Sequence, residues 1–341
     1  MKAVYAAEPY AIEIRDIPKP EPGPCEVLIK VEYTGICGSD LHAYRGAHAF
    51  RKPPVMLGHE VSGSVEAVGD TVAGFREGDK VTVMPQVGCG ICASCGAGKT
   101  NLCTSKTVPG TSRWIGTFGE YFTAPQSVVL PLQTVSTRLG ALTEPLAVAN
   151  HVLSRNRDQR KDNTLVILGA GTIGLMMLMI APRFGYENIL ITDVLDYNLD
   201  LARRFGAGRV VNVIKENPVE AVREYFGAEG AGTVAVAAGG ADILEQAIAM
   251  ARAGGSVLYF AMITREMTFN TYPIVFKELN LLGSFNYTME DFRQAIEYLK
   301  DESIPLGEII TQEYTFAQAK EAFETLDKKT ENSVKALFRN P

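Results

Sequence analysis

Four of the six cysteines fall in one stretch, GCGICASCGAGKTNLC, at Cys89, Cys92, Cys95 and Cys103. The spacing Cys-x2-Cys-x2-Cys-x7-Cys brings four soft ligands close enough in sequence to close a tetrahedron around one Zn2+. Gly88, Gly90, Gly96 and Gly98 free the backbone to wrap round such an ion. An iron–sulfur cluster fits less well, because ferredoxin-type runs have a tighter last interval followed by proline. With four thiols and no open coordination position, the zinc is expected to be structural, a staple for a lobe over 88–104. Disulfides are disfavoured on compartment: the N-terminal MKAVYAAEPY lacks the apolar run of a signal peptide, so a cytoplasmic, reducing location is expected.

A second motif handles a nucleotide. LVILGAGTIG places Gly169, Gly171 and Gly174 directly after an apolar strand and at the start of a helix. Glycines there permit a tight turn and let backbone amides, including those of Thr172 and Ile173, approach a pyrophosphate at the positive end of the helix. The next strand, NILITDV, carries Asp193, placed to accept hydrogen bonds from the adenosine ribose hydroxyls. An acid there favours NAD over NADP.

The elements that must position these motifs fall into two groups. Short strands such as EVLIKVEY (26–33), EVSGSVEAV (60–68) and DKVTVMP (79–85), separated by Gly and Pro, make the first part β-rich. From about Asn163, apolar strands alternate with helical stretches such as IGLMMLMIAPRFG and ILEQAIAMARAGG, the mark of parallel βαβ units. The tail from about 284 is helical and ends in a possible strand, VKALF. The expected fold is α/β: a β-rich domain over 1–147, a doubly wound NAD-binding domain over 148–283, and a return of 284–341 to the first. At 341 residues with 46% hydrophobic and 21% charged, two soluble domains are the default. A formal charge of -6 disfavours nucleic acid, and the longest apolar run, LMMLMIA, is too short to span a bilayer.

Six further residues gain meaning only together. TGICGSDLHAY holds Cys37, Ser39 and His42; LGHEVSG holds His59 and Glu60; LTEPLAVANH holds Glu144. Taken singly, each has a bland explanation as a buried thiol, a core histidine or a surface acid. The GHE motif, the four-cysteine lobe, the EP motif and GxGxxG stand in an order that resembles the zinc-dependent medium-chain dehydrogenase/reductase family, in its polyol and threonine dehydrogenase branch, over essentially the whole chain. The resemblance implies a GroES-like catalytic domain, a Rossmann coenzyme domain, two zinc ions per chain and NAD. It implies Cys37 and His59 as catalytic zinc ligands, with Glu60 and Glu144 as alternative carboxylate ligands. Such an open site supplies a Lewis acid to an alcohol oxygen. Ser39 resembles the first hydroxyl of the family's proton relay and His42 its terminal imidazole, while Asp40 would orient local backbone or His59. The region from SVLYFA to LNLLGSF is where family dimers join sheets, which implies a homodimer or homotetramer.

The substrate implied is a polyhydroxylated small molecule oxidised at a secondary hydroxyl: a polyol, a sugar acid or a sugar-alcohol phosphate. L-threonine or a vicinal diol such as butanediol is the alternative, and a zinc-free or non-catalytic relative a remote one. Ala43 stands where polyol dehydrogenases often have an aromatic residue, and Asn286 near where many have arginine. Tyr44, Trp114, Phe118 and Tyr121 could rebuild an aromatic wall, though aromatics are more often core. Arg45, Arg51 and Lys52 form a basic cluster that reads as a solvated face or as an attractor for a sugar phosphate.

Overall fold

The computed structural model describes residues 1–111, 114–159, 162–262 and 266–340. They form two units: one of Met1–Pro145, Thr288–Glu302 and the segment from Gly307 onward, the other of Leu146–Tyr287 and Ser303–Leu306.

In chain order the first unit opens with β1 (Lys2–Glu8), β2 (Ala11–Asp16), β3 (Glu26–Ile36), α1 (Gly38–Tyr44), β4 (Val55–Met56), β5 (Glu60–Val68) and β6 (Lys80–Val83). It continues with α2 (Ala93–Gly96), β7 (Tyr121–Pro125), β8 (Val129–Pro131), α3 (Thr137–Gly140) and the start of α4 (Thr143–Ser154). The second unit carries β9 (Thr164–Leu168), α5 (Thr172–Ile180), β10 (Asn188–Asp193), β11 (Arg209–Asn212), β12 (Ala231–Val236), β13 (Ala251–Tyr259) and β14 (Asn280–Gly283). The chain then gives the first unit β15 (Ile310–Tyr314) and β16 (Lys335–Arg339).

The GroES-like sheet has the order β15-β16-β3-β5-β6-β8, with β7 also on β3. β3 is its spine, for three strands pair with it antiparallel. Its inner residues Val27, Ile29 and Val31 are fully buried, and Ile36 packs with Leu57, Phe118 and Phe338. Each fully buried aliphatic side chain contributes about 1.5–3 kcal/mol. The register matters for chemistry. Gly35 stands opposite Glu60 on one side of β3, and Ile36 opposite Ala336 on the other.

The Rossmann sheet has the order β11-β10-β9-β12-β13-β14, and every pairing is parallel. Strand order reverses between β10 and β12 on either side of β9, which is where such sheets open a ligand crevice. Buried on both faces, β9 and β12 are almost wholly apolar apart from Thr164 and Thr233, with Leu165, Val166, Ile167 and Leu168 at 1% exposure or less.

Two helical expectations are corrected. ILEQAIAMARAGG is not helical throughout: the helix stops at Met250 and Ala251–Gly255 already belongs to β13. Ala251, at φ -73 and ψ 133, has already left helical geometry for extended backbone. In IGLMMLMIAPRFG, α5 ends at Ile180 and a 3-10 turn, Ala181–Phe184, follows, because Pro182 brings no amide to continue it. Among the described residues no helix is long and apolar enough to cross a membrane.

Candidate functional site

The four-cysteine lobe is assembled by short helical turns. Cys92 caps α2 and its sulfur accepts from the Cys95 amide at 3.5 Å, while Cys103 follows the 3-10 turn Thr100–Leu102 and accepts from the Cys89 amide at 3.4 Å. Gly90 and Gly98, at φ +76 and +71, turn the chain between ligands where a side chain would strain it. The four sulfurs lie within 4.8 Å of one another. The Ile91 and Cys92 amides pull the Cys89 thiol down to about 6. The Gly90 amide favours thiolate at Cys95 too, but desolvation and the neighbouring sulfurs outweigh it and push that thiol up to about 11. Four such sulfurs become mutually compatible as thiolates only around a cation, and their spacing suits zinc.

The second cluster is built on β3. Where that strand ends, Cys37 caps α1; the loop before β5 delivers His59, and Glu60 begins β5 opposite Gly35. One ligand atom from each of Cys37, His59 and Glu60 lies within 4.8 Å of the others. Glu144, in the first turn of α4, is not in that group. His59 is 7% exposed, and its Nδ1 is buried without a hydrogen-bond partner among the described residues. It faces Asp40 Oδ1 at 3.5 Å. A thiol, an imidazole and a carboxylate converging around an unsatisfied ring suit a catalytic zinc.

Asp40 organises this cluster. Wholly buried, it accepts from the Cys37 amide at 3.0 Å and the Gly58 amide at 3.2 Å. Burial alone would raise its pKa, but His59, Arg51 and the Cys37 amide hold it at about 2. Burial would lower His59, and the Asp40 carboxylate outweighs that, so an ion-free His59 sits well above its ordinary range.

Sequence reasoning missed Lys335. Only 2% exposed, it comes from β16, donates to the Ile36 carbonyl at 3.1 Å and forms an ion pair with Glu60. Burial alone would lower its pKa, but Glu60, then Cys37 and Glu144, keep it raised and cationic. Gly35 makes room for the pair, because a Cβ there would overlap Glu60 Oε2 and sit 2.9 Å from Lys335 Cε. In the sequence it is a charge at the head of the strand KALFR, with nothing nearby to name its partner.

Ser39 lies two residues from Cys37 on α1, half-buried, and its Oγ accepts from Arg51 Nη1 at 3.3 Å. His42, one turn on, is exposed. His48, also missed, is 6% exposed; its Nδ1 accepts from the Arg51 amide at 3.2 Å, and burial, reinforced by Arg51, lowers it to about 4. Tyr44, Trp114 and Phe118 are core: Tyr44 packs on Phe323, Trp114 stacks on Phe122, and Phe118 meets Phe338 edge-on. Tyr121 is half-buried beneath Lys19.

In the second unit, Gly169 at φ +113 turns the chain out of β9, and a Cβ on Gly174 would strike the Gly169 carbonyl. Gly171 caps α5 in open space, with Thr172 and Ile173 half-buried in its first turn. Asp193 ends β10; its Oδ2 accepts from the Ala170 amide at 2.7 Å and its Oδ1 from the Leu195 amide at 2.9 Å. The carboxylate is thereby fixed beside the glycine turn with lone pairs left over.

The chain matches the family model for the alcohol dehydrogenase GroES-like domain over residues 23–134 and that for zinc-binding dehydrogenase over residues 172–301. It is 35% identical over 337 residues to the "Probable D-xylulose reductase A" of Emericella nidulans, covering 96% of this chain and 93% of that protein. To the sorbitol dehydrogenase of Bacillus subtilis it is 32% identical over 330 residues, covering 95% and 93%. The crystal structure of galactitol-1-phosphate dehydrogenase from Escherichia coli superposes with a TM-score of 0.90 at 25% identity over 100% of both chains.

Two zinc ions per chain are expected, and the clusters should respond differently to substitution. Cys37→Ala should leave a folded protein with one zinc. Cys95→Ala should open the lobe and lower the thermal midpoint by on the order of 10 °C. Elemental analysis of zinc-replete protein tests this, and one metal per wild-type chain would sink the two-site assignment.

Proposed function

Because the chain belongs to the zinc-dependent medium-chain dehydrogenases, we propose that it oxidises a secondary hydroxyl of a polyhydroxylated small molecule with NAD as acceptor. Polyols, sugar acids and sugar-alcohol phosphates are the substrate class. The observation that carries this reading is the convergence of Cys37, His59 and Glu60, with the Ser39 hydroxyl next to them on α1. Relatives named for D-xylulose, sorbitol and galactitol 1-phosphate support it.

A zinc held by Cys37, His59 and a glutamate supplies a Lewis acid for the alcohol oxygen. The chain's own residues do the rest. Cys37 and the glutamate offset the positive charge, and Asp40 fixes the His59 ring. Lys335 gives Glu60 a cationic partner and also feels the charge of Glu144, and either carboxylate would serve as the remaining zinc ligand. Ser39 would take the hydroxyl proton while handing its own on, and the exposed His42 would release it to solvent; NAD, held by the second unit, would supply the hydride acceptor.

The same reading makes the protein a cytoplasmic homodimer or homotetramer. β14 is an edge strand of the Rossmann sheet, with Val275 and Phe276 exposed just before it, which suits joining to a second copy.

A screen of NAD reduction against polyols, aldonates, sugar phosphates, L-threonine and vicinal diols tests the substrate class. Turnover should be confined to polyhydroxylated compounds; activity only with primary aliphatic alcohols, or only with L-threonine, contradicts it. For the coenzyme, the Asp193 carboxylate opposes a 2′-phosphate at a cost of several kcal/mol. NAD should therefore be preferred about a hundredfold or more in kcat/KM, and Asp193→Ser should raise the NADP/NAD ratio. Equal wild-type efficiency with both coenzymes would overturn the assignment.

A further inference from the structure

Arg51 is a buried cation with no ion-pair partner among the described residues. It lies in the loop between α1 and β4 and is 6% exposed. Its Nε donates to the Pro109 carbonyl at 3.1 Å and its Nη1 to Ser39 Oγ at 3.3 Å. Among the described residues no carboxylate forms an ion pair with it. Asp40 feels its field, but that carboxylate already serves the Cys37 and Gly58 amides and faces His59. A guanidinium carries five N–H donors, and burying one with no carboxylate in direct contact is costly. The loop nonetheless fixes it firmly. His48 Nδ1 accepts from the Arg51 amide at 3.2 Å, and Gly110 leaves the side chain room, since a Cβ there would lie 3.2 Å from Nε.

The two neighbouring cations are committed elsewhere. Arg45 pairs with Asp327 at 2.5 Å, and the exposed Lys52 donates to the Gly46 carbonyl at 3.2 Å. The basic cluster visible in the sequence thus resolves into two surface residues and one buried donor fork beside Ser39.

We propose that Arg51 binds an anionic group on the substrate, a carboxylate carried close to the reacting hydroxyl, and so selects sugar acids over neutral polyols. This rests on the proposed function, in which Ser39 meets the reacting hydroxyl. Arg51 donates to that same serine oxygen, so a group within its reach sits one or two carbons from the reacting one. A planar carboxylate monoanion matches one guanidinium fork. A phosphate dianion calls for a second cation, and Arg45 and Lys52 do not supply it.

The test uses zinc-replete enzyme and matched six-carbon pairs: gluconate with sorbitol, galactonate with galactitol, idonate with iditol, and galactitol 1-phosphate as the phosphate arm. Wild type should favour one aldonate over its alditol in kcat/KM. In Arg51→Met that ratio should fall at least about tenfold, chiefly through KM, with Arg51→Lys intermediate. Calorimetric titration of the same aldonate into the enzyme–NADH complex, where no oxidation occurs, should show the same loss, with zinc content and near-ultraviolet circular dichroism checking the fold. A wild-type preference for alditols, or a ratio indifferent to Arg51, overturns the proposal, and an Arg51-dependent preference for galactitol 1-phosphate overturns the carboxylate in favour of phosphate. Should no polyhydroxylated compound reduce NAD while aldonate binding still depends on Arg51, the proposed function falls and the anion site stands.

Discussion

The carboxylate of Asp40 touches both chain segments that must meet for the metal cluster to exist. It accepts the Cys37 amide at the end of β3 and the Gly58 amide just before His59, and it faces the imidazole ring itself. One buried charge therefore sets the helix cap that aims Cys37, the loop that presents His59 and the direction of the ring. Leaving such a charge buried is tolerable because two amides and the ring answer it. Without it, Cys37 and His59 would sit on segments joined by the β3–β5 ladder, by Ile36–Leu57 packing and by Lys335, none of which sets the direction of the thiol or the ring.

Glu60 is under a different constraint. It begins the strand that this ladder aligns, yet its partner comes from the far end of the chain. Lys335 reaches Ile36, a separation of 299 residues, because β16 closes against the free edge of β3. Gly35 keeps the space between them clear. The C-terminal strand thus supplies a cation to the cluster as well as an edge to the sheet, and Glu60 is held between that ammonium and the prospective metal.

The parts of the fold and site that could be read from the sequence are those whose chemistry is local. The four cysteines declare a metal lobe within sixteen consecutive residues, and the glycines of LVILGAGTIG announce their turn because strand, turn and helix are contiguous. Cys37, His59 and Glu60 carry no such signal singly; the family's motif order was needed to bring them together. Lys335 was beyond reach because nothing near it in sequence is its partner. Arg51 looked like part of a solvated cluster, since residue counting cannot see that Pro109 and Ser39 enclose it. The glycine pair at 254–255 sat inside an apolar stretch with helical spacing, and only the parallel pairing of β12 with Ala251 and again from Ser256, with an irregularity between, carries that stretch into a strand.

If Asp40 holds the metal-binding residues in place, Asp40→Asn should loosen one metal site and spare the other. The amide keeps the shape of the side chain and removes its charge. Zinc affinity at each site can be followed by titration with a competing chelator. The weaker of the two sites should lose about 10–100-fold in affinity, Cys37→Ala should identify that site as the Cys37/His59 cluster, and the four-cysteine lobe should be unaffected. Wild-type affinity at both sites in a folded Asp40→Asn protein would contradict it.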